Sequence, residues 1–173
     1  MGIEMEFTEK GVVKVSMTRY IEDYSDEFPK DATTPVVSTA AEHLLKINTS
    51  GKRLSEERAI LFHRIFSKLL FIRKRARPDT HLTIEFLRTS VRDPDEDDWK
   101  NLQRLLQYLH RTSEMALHLN SYDLNIVHWW VDTYYGVHDD LKGHTSTTIS
   151  IGRGCANIMS NKQKINTTRS TLG

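Results

Sequence analysis

The sequence predicts an α+β fold: an N-terminal β-hairpin and short helix, a central three-helix bundle, and a C-terminal antiparallel three-stranded sheet. Two patterns indicate this order. Apolar residues alternate with polar ones near both ends of the chain, as in strands, and they recur at helical spacing between residues 55 and 109. Amphipathic helices with short connections bury one another's apolar stripes, which favours a bundle in the middle.

The N-terminal segment predicts a hairpin followed by a short helix. Residues 3–16 alternate, and Gly11 lies in the turn between the two apolar runs. The helix is expected to start at a Thr18 cap and to stop at Pro29, since proline cannot continue a helix. Residues 29–53 are predicted to be a loop with a turn of helix near 40–45.

Three helices are predicted next. Ser55 is a plausible N-cap, Pro78 breaks the first helix and starts the second, and Asp93-Pro94-Asp95-Glu96 indicates a cap, a proline at the first helical position and a capping-box acid. The apolar stripes comprise Leu61, Phe62, Ile65, Phe66, Leu69, Leu70 and Ile72; then Leu82, Phe86 and Leu87; then Trp99, Leu102, Leu105, Leu106 and Leu109.

The last part of the chain predicts strands, because Leu117 and Leu119 alternate and three strand-like runs follow at 126–133, 147–151 and 155–160. Gly152-Arg153-Gly154 is typical of a hairpin turn between the last two. We therefore divide the chain into residues 1–53, 54–114 and 115–173.

Composition excludes several classes of protein. The 173 residues carry 24 Lys and Arg against 23 Asp and Glu, so nucleic-acid binding would need a local basic patch. The single cysteine, Cys155, excludes an internal disulfide and a cysteine-rich zinc site, and is expected to be a packing residue. The sequence has no signal peptide and no membrane-spanning run, so we expect an intracellular protein, cytoplasmic or nuclear, with no membrane partner.

Asp132 is the candidate metal ligand and catalytic residue. It follows Trp129-Trp130-Val131 in what is predicted to be a buried strand, where a carboxylate is costly unless it is paired or bound to metal. The alternative, which spacing alone favours, is a surface or salt-bridged aspartate near a strand end. Asp139 and Asp140 are more typical of a turn.

The run of Arg73, Lys74, Arg75 and Arg77 is the candidate nucleic-acid-binding site, because such side chains can follow a phosphate backbone. Cations near the C-terminus of a helix also stabilise the helix dipole, and this alternative is favoured on composition alone. Tyr20 and Tyr24, one turn apart, could stack on bases but are more typical of a core.

Several stretches, in order, resemble the Pol polyprotein of copia-type long-terminal-repeat retrotransposons. The resemblance covers nearly the whole chain. Each motif is weak by itself, so the resemblance rests on the order in which the motifs occur along the chain. The matching stretches are Gly2–Phe7, Tyr20-Ile21, Phe62–Ile65, Lys68–Phe71, Arg75–Asp79, Trp99, Tyr108-Leu109, Thr112, Trp130–Asp132, His138–Thr145 and Lys162-Gln163.

The resemblance implies the end of a reverse transcriptase, connecting helices and the start of a ribonuclease H domain, with Asp132 at the position of the first catalytic carboxylate. It implies Mg²⁺ or Mn²⁺ as the cofactor of the intact family, and an RNA–DNA hybrid or template-primer duplex as the partner. The chain departs from the family where Leu172 stands at the first position of an acidic helix and where no Tyr-x-Asp-Asp occurs. We therefore expect a fragment that binds no metal and is inactive alone.

Two other functions remain open. The chain could be a non-catalytic nucleic-acid-binding module that uses the basic helix end. It could instead be an interaction module or an unstable remnant that self-associates through an exposed sheet edge, with Trp129, Val131 and Ile149 seeking a partner.

Overall fold

A computed structural model of the chain describes residues 2–9, 11–25, 36–39, 50–134 and 142–164. These residues form two antiparallel sheets of three strands each and four α-helices, which confirms the mixed helix-and-sheet class. The first sheet has the order β1-β2-β3 and the second β4-β5-β6. The elements are β1 (Glu4–Glu9), β2 (Val12–Ser16), α1 (Thr18–Ser25), α2 (Glu56–Arg75), α3 (His81–Ser90), α4 (Glu96–Arg111), β3 (Leu117–Asn120), β4 (His128–Tyr134), β5 (His144–Ser150) and β6 (Asn157–Lys162).

The first sheet contains the predicted hairpin and one strand from much later in the chain. Gly11 turns the chain between β1 and β2 with a φ of 80°, a conformation that glycine adopts without a Cβ clash. Strand β3 pairs antiparallel with β2, so that Leu119 lies opposite Val13. Residues 117–120, assigned above to the third part of the chain, therefore extend the N-terminal sheet.

Helix α1 begins at Thr18 as predicted, and the threonine side chain bonds to a residue outside this helix. Its hydroxyl donates to the carbonyl of Ser113, at 3.1 Å, and so joins α1 to the chain just after α4. The helix is described up to Ser25, while Pro29 and the expected turn of helix at 40–45 lie outside the described residues.

Helix α2 begins and ends as the sequence predicts. Ser55 is its N-cap and accepts a hydrogen bond from the Arg58 amide. Pro78 opens a short 3₁₀ helix at Pro78–Thr80 that leads directly into α3.

The cap of α4 lies two residues later than predicted, at Asp95 instead of Asp93. The Asp95 carboxylate accepts from the amides of Asp97 and Asp98, and the Asp98 carboxylate accepts in turn from the Asp95 amide, which completes a capping box. Pro94 precedes the helix because its carbonyl accepts from the amide of Leu54, at 3.1 Å, in an extended contact with the chain before α2.

The core lies between the four helices and the inner face of the first sheet. Most of the predicted stripe residues of α2 and α4 are buried there, but Leu82 of α3 is exposed, and His81, Thr83, Ile84 and Glu85 are buried in its place. The buried apolar residues are Val15, Met17, Ile21, Phe62, Ile65, Phe66, Leu69, Ile72, Ala76, Ile84, Leu87, Trp99, Leu102, Leu105, Leu106 and Leu109.

The second sheet is an antiparallel meander of three consecutive strands, as expected, with boundaries that differ from the predicted ranges by one to three residues. The connection between β5 and β6 contains Gly154 at a φ of 89°. That connection also contacts the first sheet. The Asn120 amide of β3 donates to the Arg153 carbonyl at 3.0 Å, and the Arg153 amide donates to Asn120 Oδ1 at 2.9 Å.

Candidate functional site

Asp132 lies in the middle of the edge strand β4, and its side chain is exposed. In the antiparallel register Asp132 is opposite Ser146 of β5, which is opposite Ser160 of β6. Directly paired residues project from the same face of a sheet. The carboxylate therefore shares its row with two hydroxyl side chains and no second carboxylate.

This arrangement does not fit a divalent-metal site of the kind the resemblance implies. Two-metal sites hold the ions through several carboxylates. Within the residues that the structure describes, no cluster of three or more His, Cys, Asp or Glu side chains could hold a metal ion. Asp139, Asp140 and Leu172 lie outside those residues.

Strand β4 was predicted to be buried, and the structure corrects this. Residues 122–133 are all exposed, including Trp129 at 63%, Trp130 at 54% and Val131 at 62% of their surface. An apolar run indicates a strand, but burial also requires a layer packed on its faces. Among the described residues, β4 pairs with β5 along one edge.

Arg73, the first of the four predicted nucleic-acid-binding residues, faces the protein interior. It is 6% exposed, forms an ion pair with Glu85 of α3 and lies 3.3 Å from Nδ1 of His81. A guanidinium enclosed in this way cannot reach a phosphate backbone without unfolding the contact between α2 and α3.

Arg77 is also removed from the predicted surface site, because it is only 1% exposed. Its guanidinium donates to both oxygens of Asp79 and to the backbone carbonyl and hydroxyl of Thr112, at 2.7–3.3 Å. It also lies over the ring of Tyr108, 5.2 Å from the centroid. Arg77 thus fastens the end of α2 to the end of α4.

Lys74 and Arg75 are the two predicted residues that face solvent. Arg75 lies over the ring of Phe71, 4.3 Å from its centroid, and Phe71 packs on Tyr20 of α1 with ring centroids 5.6 Å apart. Tyr20 is therefore partly buried against α2, in agreement with the packing role that its spacing favoured.

The outer face of α2 carries further cations that the sequence analysis did not select. Arg64 is exposed and Lys68 is half-buried, one turn apart, and helix α2 has no acidic residue after Glu57. We call Arg64, Lys68 and Arg75 the basic face of α2, and Lys74, about 100° around the helix from Arg75, is exposed beside it. Helical spacing could have revealed this face. Arg73 is four residues from Leu69 and so lies on the buried stripe. Arg64 and Lys68 are four residues apart, and Lys68 and Arg75 are seven apart, so these three lie on one side of the helix.

A buried polar cluster joins α3 to the second sheet and was also missed. His81 and Glu85 of α3 interact electrostatically with His144 of β5, whose Nε2 contacts the hydroxyl of Ser160. Burial and the nearby Arg73 lower the pKa of His81 to about 4, and burial lowers the pKa of His144. The Nε2 atom of His81 has no hydrogen-bond partner among the described residues.

Cys155 is half-buried, and burial raises the pKa of its thiol. The thiol donates to the carbonyl of Asn157 at 3.2 Å. A thiol with a raised pKa is a poor nucleophile at neutral pH, which is in keeping with the expected packing role.

Comparison with known proteins identifies no relative. No family model matches the sequence, and neither a curated protein nor a solved structure matches it significantly. In the part of the chain that the structure describes, no helix combines the length and apolar character needed to cross a bilayer.

Proposed function

We propose that this chain is a piece of a copia-type retrotransposon Pol polyprotein. It would comprise the end of the reverse transcriptase, the connecting helices and the first three strands of a ribonuclease H-like domain. In this proposal it binds nucleic-acid duplexes through the basic face of α2 and does not cleave them.

The order of the elements is the main support for this kinship. A hairpin and short helix come first, then three helices, then β3, which joins the N-terminal sheet, and then a meander of three antiparallel strands. This is the order in which the weak motifs resemble the family, with Asp132 in the first strand of the meander. A meander in chain order is the single observation that carries the ribonuclease H-like part of the proposal.

The surroundings of Asp132 argue against catalysis by this chain alone. Cleavage of a phosphodiester by the two-metal mechanism needs carboxylates that hold both ions against water. Among the described residues, Asp132 has serines as its neighbours across the sheet. A single exposed carboxylate binds a hydrated divalent cation only weakly.

The basic face of α2 supports binding to a duplex backbone. Arg64 and Arg75 are eleven residues apart, which corresponds to about 16 Å along a helix, comparable to the rise of about five base pairs along a duplex axis at ~3.4 Å each. Lys and Arg contacts to phosphates position a protein without reading sequence. The stacking of Arg75 on Phe71 further restrains one of the cations.

One titration of a fluorescent RNA–DNA hybrid tests both parts of this proposal. The labelled hybrid is followed by anisotropy for binding and by denaturing gel for cleavage, with Mg²⁺ or Mn²⁺ and at several salt concentrations. We expect binding whose logarithmic affinity falls with the logarithm of salt concentration, and no cleavage above that of an Asp132→Asn variant.

The matched variants locate the binding surface. Arg64→Gln with Arg75→Gln should reduce the steepness of the salt dependence by about two units, roughly one for each lost phosphate contact. Lys52→Gln with Arg92→Gln removes the same charge from exposed positions outside the basic face and should leave the slope unchanged. Equal effects of the two pairs would refute the assigned surface, and cleavage abolished by Asp132→Asn would refute the inactive-fragment proposal.

A further inference from the structure

The edge of β4 is the most exposed part of the described fold. Residues 122–133 are exposed without interruption, and the strand order β4-β5-β6 leaves one side of β4 unpaired among the described residues. An edge strand with a free row of amides and carbonyls and large apolar side chains readily pairs with another strand. A strand exposed on both faces and at its edge also adds little stability by itself.

We infer that β4 pairs antiparallel with β4 of a second copy of this chain, across a two-fold axis at Trp130, to form a six-stranded sheet. In this register Trp130 lies opposite its own copy, and Trp129 lies opposite Val131. His128 of each copy lies opposite Asp132 of the other. This pairing is independent of the proposed function.

Charge complementarity selects this register over the neighbouring one. Centring the axis on Trp130 places the imidazole of His128 beside the carboxylate of Asp132, as a hydrogen-bond donor facing an acceptor. Centring it on Val131 would place Asp132 opposite Trp130 and would lose the pairing of His128 with Asp132. A shift of the pairing by one residue would place side chains from one face of a strand opposite side chains from the other face of its partner.

The apolar area on β4 suits a two-fold interface. The rings of His128 and Trp130 stack on one face with centroids 5.7 Å apart, while Trp129 and Val131 project from the other face. Given 63% exposure of Trp129 and 54% of Trp130, the two indoles offer about 300 Å² per copy. That is more than a third of the roughly 800 Å² per partner of a standard stable interface. Val131 and the exposed Ile126 and Val127 extend the surface.

Sedimentation equilibrium of the full chain over a range of concentrations tests the dimer. We expect a monomer–dimer equilibrium that Trp130→Lys shifts at least tenfold toward monomer. Phe7→Lys makes the same change at an exposed apolar residue on β1, which is the edge strand of the other sheet, and should leave the equilibrium unchanged. A wild-type monomer, open-ended aggregation, or equal effects of both variants would overturn the inference.

Charge rescue tests the register. His128→Glu and Asp132→Lys each place like or unpaired charges across the axis and should weaken the dimer. The double variant His128→Glu with Asp132→Lys restores opposite charges and should recover most of the lost affinity. The two positions are about 13 Å apart along one strand, so rescue cannot arise within one copy. A double variant no tighter than the weaker single variant would overturn the register, and circular dichroism on each variant shows that the fold is retained.

Discussion

Arg73 and Arg77 lie four residues apart, and each fastens α2 to a different helix. Arg73 pairs with Glu85 of α3, and Arg77 pairs with Asp79 and with Thr112 beyond α4. Removing one partner of a buried ion pair leaves the other charge desolvated, which costs far more than the pair contributes. These two arginines therefore stabilise the packing of the helices, whereas Lys74 and Arg75 are exposed to solvent.

Replacing Arg77 should destabilise the protein. We expect Arg77→Gln to lower the free energy of unfolding by about 1–3 kcal/mol, because the Thr112 carbonyl loses its donor and a buried side chain is shortened. Asp79 is exposed and stays hydrated, so its charge adds little to this cost. Arg75→Gln, two residues earlier and exposed, should change it by less than about 0.5 kcal/mol. Urea denaturation of both variants provides the measurement, and equal effects would contradict the assigned roles.

His81 makes the stability depend on pH. Burial and Arg73 lower the pKa of His81 to about 4 in the folded protein, against an ordinary value of 6.5. Between these two values the unfolded chain binds a proton that the folded protein does not, so stability falls as pH falls from 6.5 to 4. Below about pH 4 the folded protein binds the proton as well, and the loss from this group levels off.

We therefore expect the wild type to lose about 2 kcal/mol more unfolding free energy than His81→Gln between pH 7 and pH 4.5. The lowered pKa of His144 acts in the same direction in both proteins and cancels in the comparison. Urea unfolding of the two proteins at several pH values measures the difference. Parallel pH profiles would contradict the assignment of this sensitivity to His81.

At the scale of elements, the helices were the most predictable part. Ser55, Pro78 and the apolar spacing located α2, α3 and α4 to within a few residues, because capping and helical period are local properties. The start of α4 was wrong because Asp93 and Asp95 are both suitable caps. The choice between them depends on the contact of Pro94 with Leu54, forty residues away.

The strands show that pairing and burial depend on distant parts of the chain, which a local sequence pattern cannot predict. Alternation located β3, but its partner β2 lies about a hundred residues earlier, and no local signal indicates that pairing. The apolar run of Trp129-Trp130-Val131 predicted a buried strand, yet its exposure depends on what packs against it. Among the candidate site residues, the sequence predicted Asp132 and the two cations that are exposed, Lys74 and Arg75. The burial of Arg73 and Arg77 could be seen only in the tertiary structure.

At the scale of the whole molecule, contacts on two sides join the second sheet to the rest of the described structure. Gly154 approaches the carbonyl of His118 in β3, where a side chain would collide, and the Arg153–Asn120 bonds hold the same loop. On the other side, α3 packs on β6 around His81, His144 and Ser160. The strands that carry Asp132 are thus fixed to the helical part, while the edge of β4 stays open.

Sequencing the locus and its transcript on both sides of this reading frame tests the proposed kinship with a retrotransposon Pol polyprotein. If the kinship holds, a palm with a Tyr-x-Asp-Asp motif is encoded upstream, and an acidic ribonuclease H helix, intact or interrupted, is encoded downstream. Intact flanks would mean that Asp132 works with carboxylates supplied by the neighbouring sequence. Unrelated sequence on both sides would contradict the kinship and leave only the duplex-binding and strand-pairing surfaces to explain this fold.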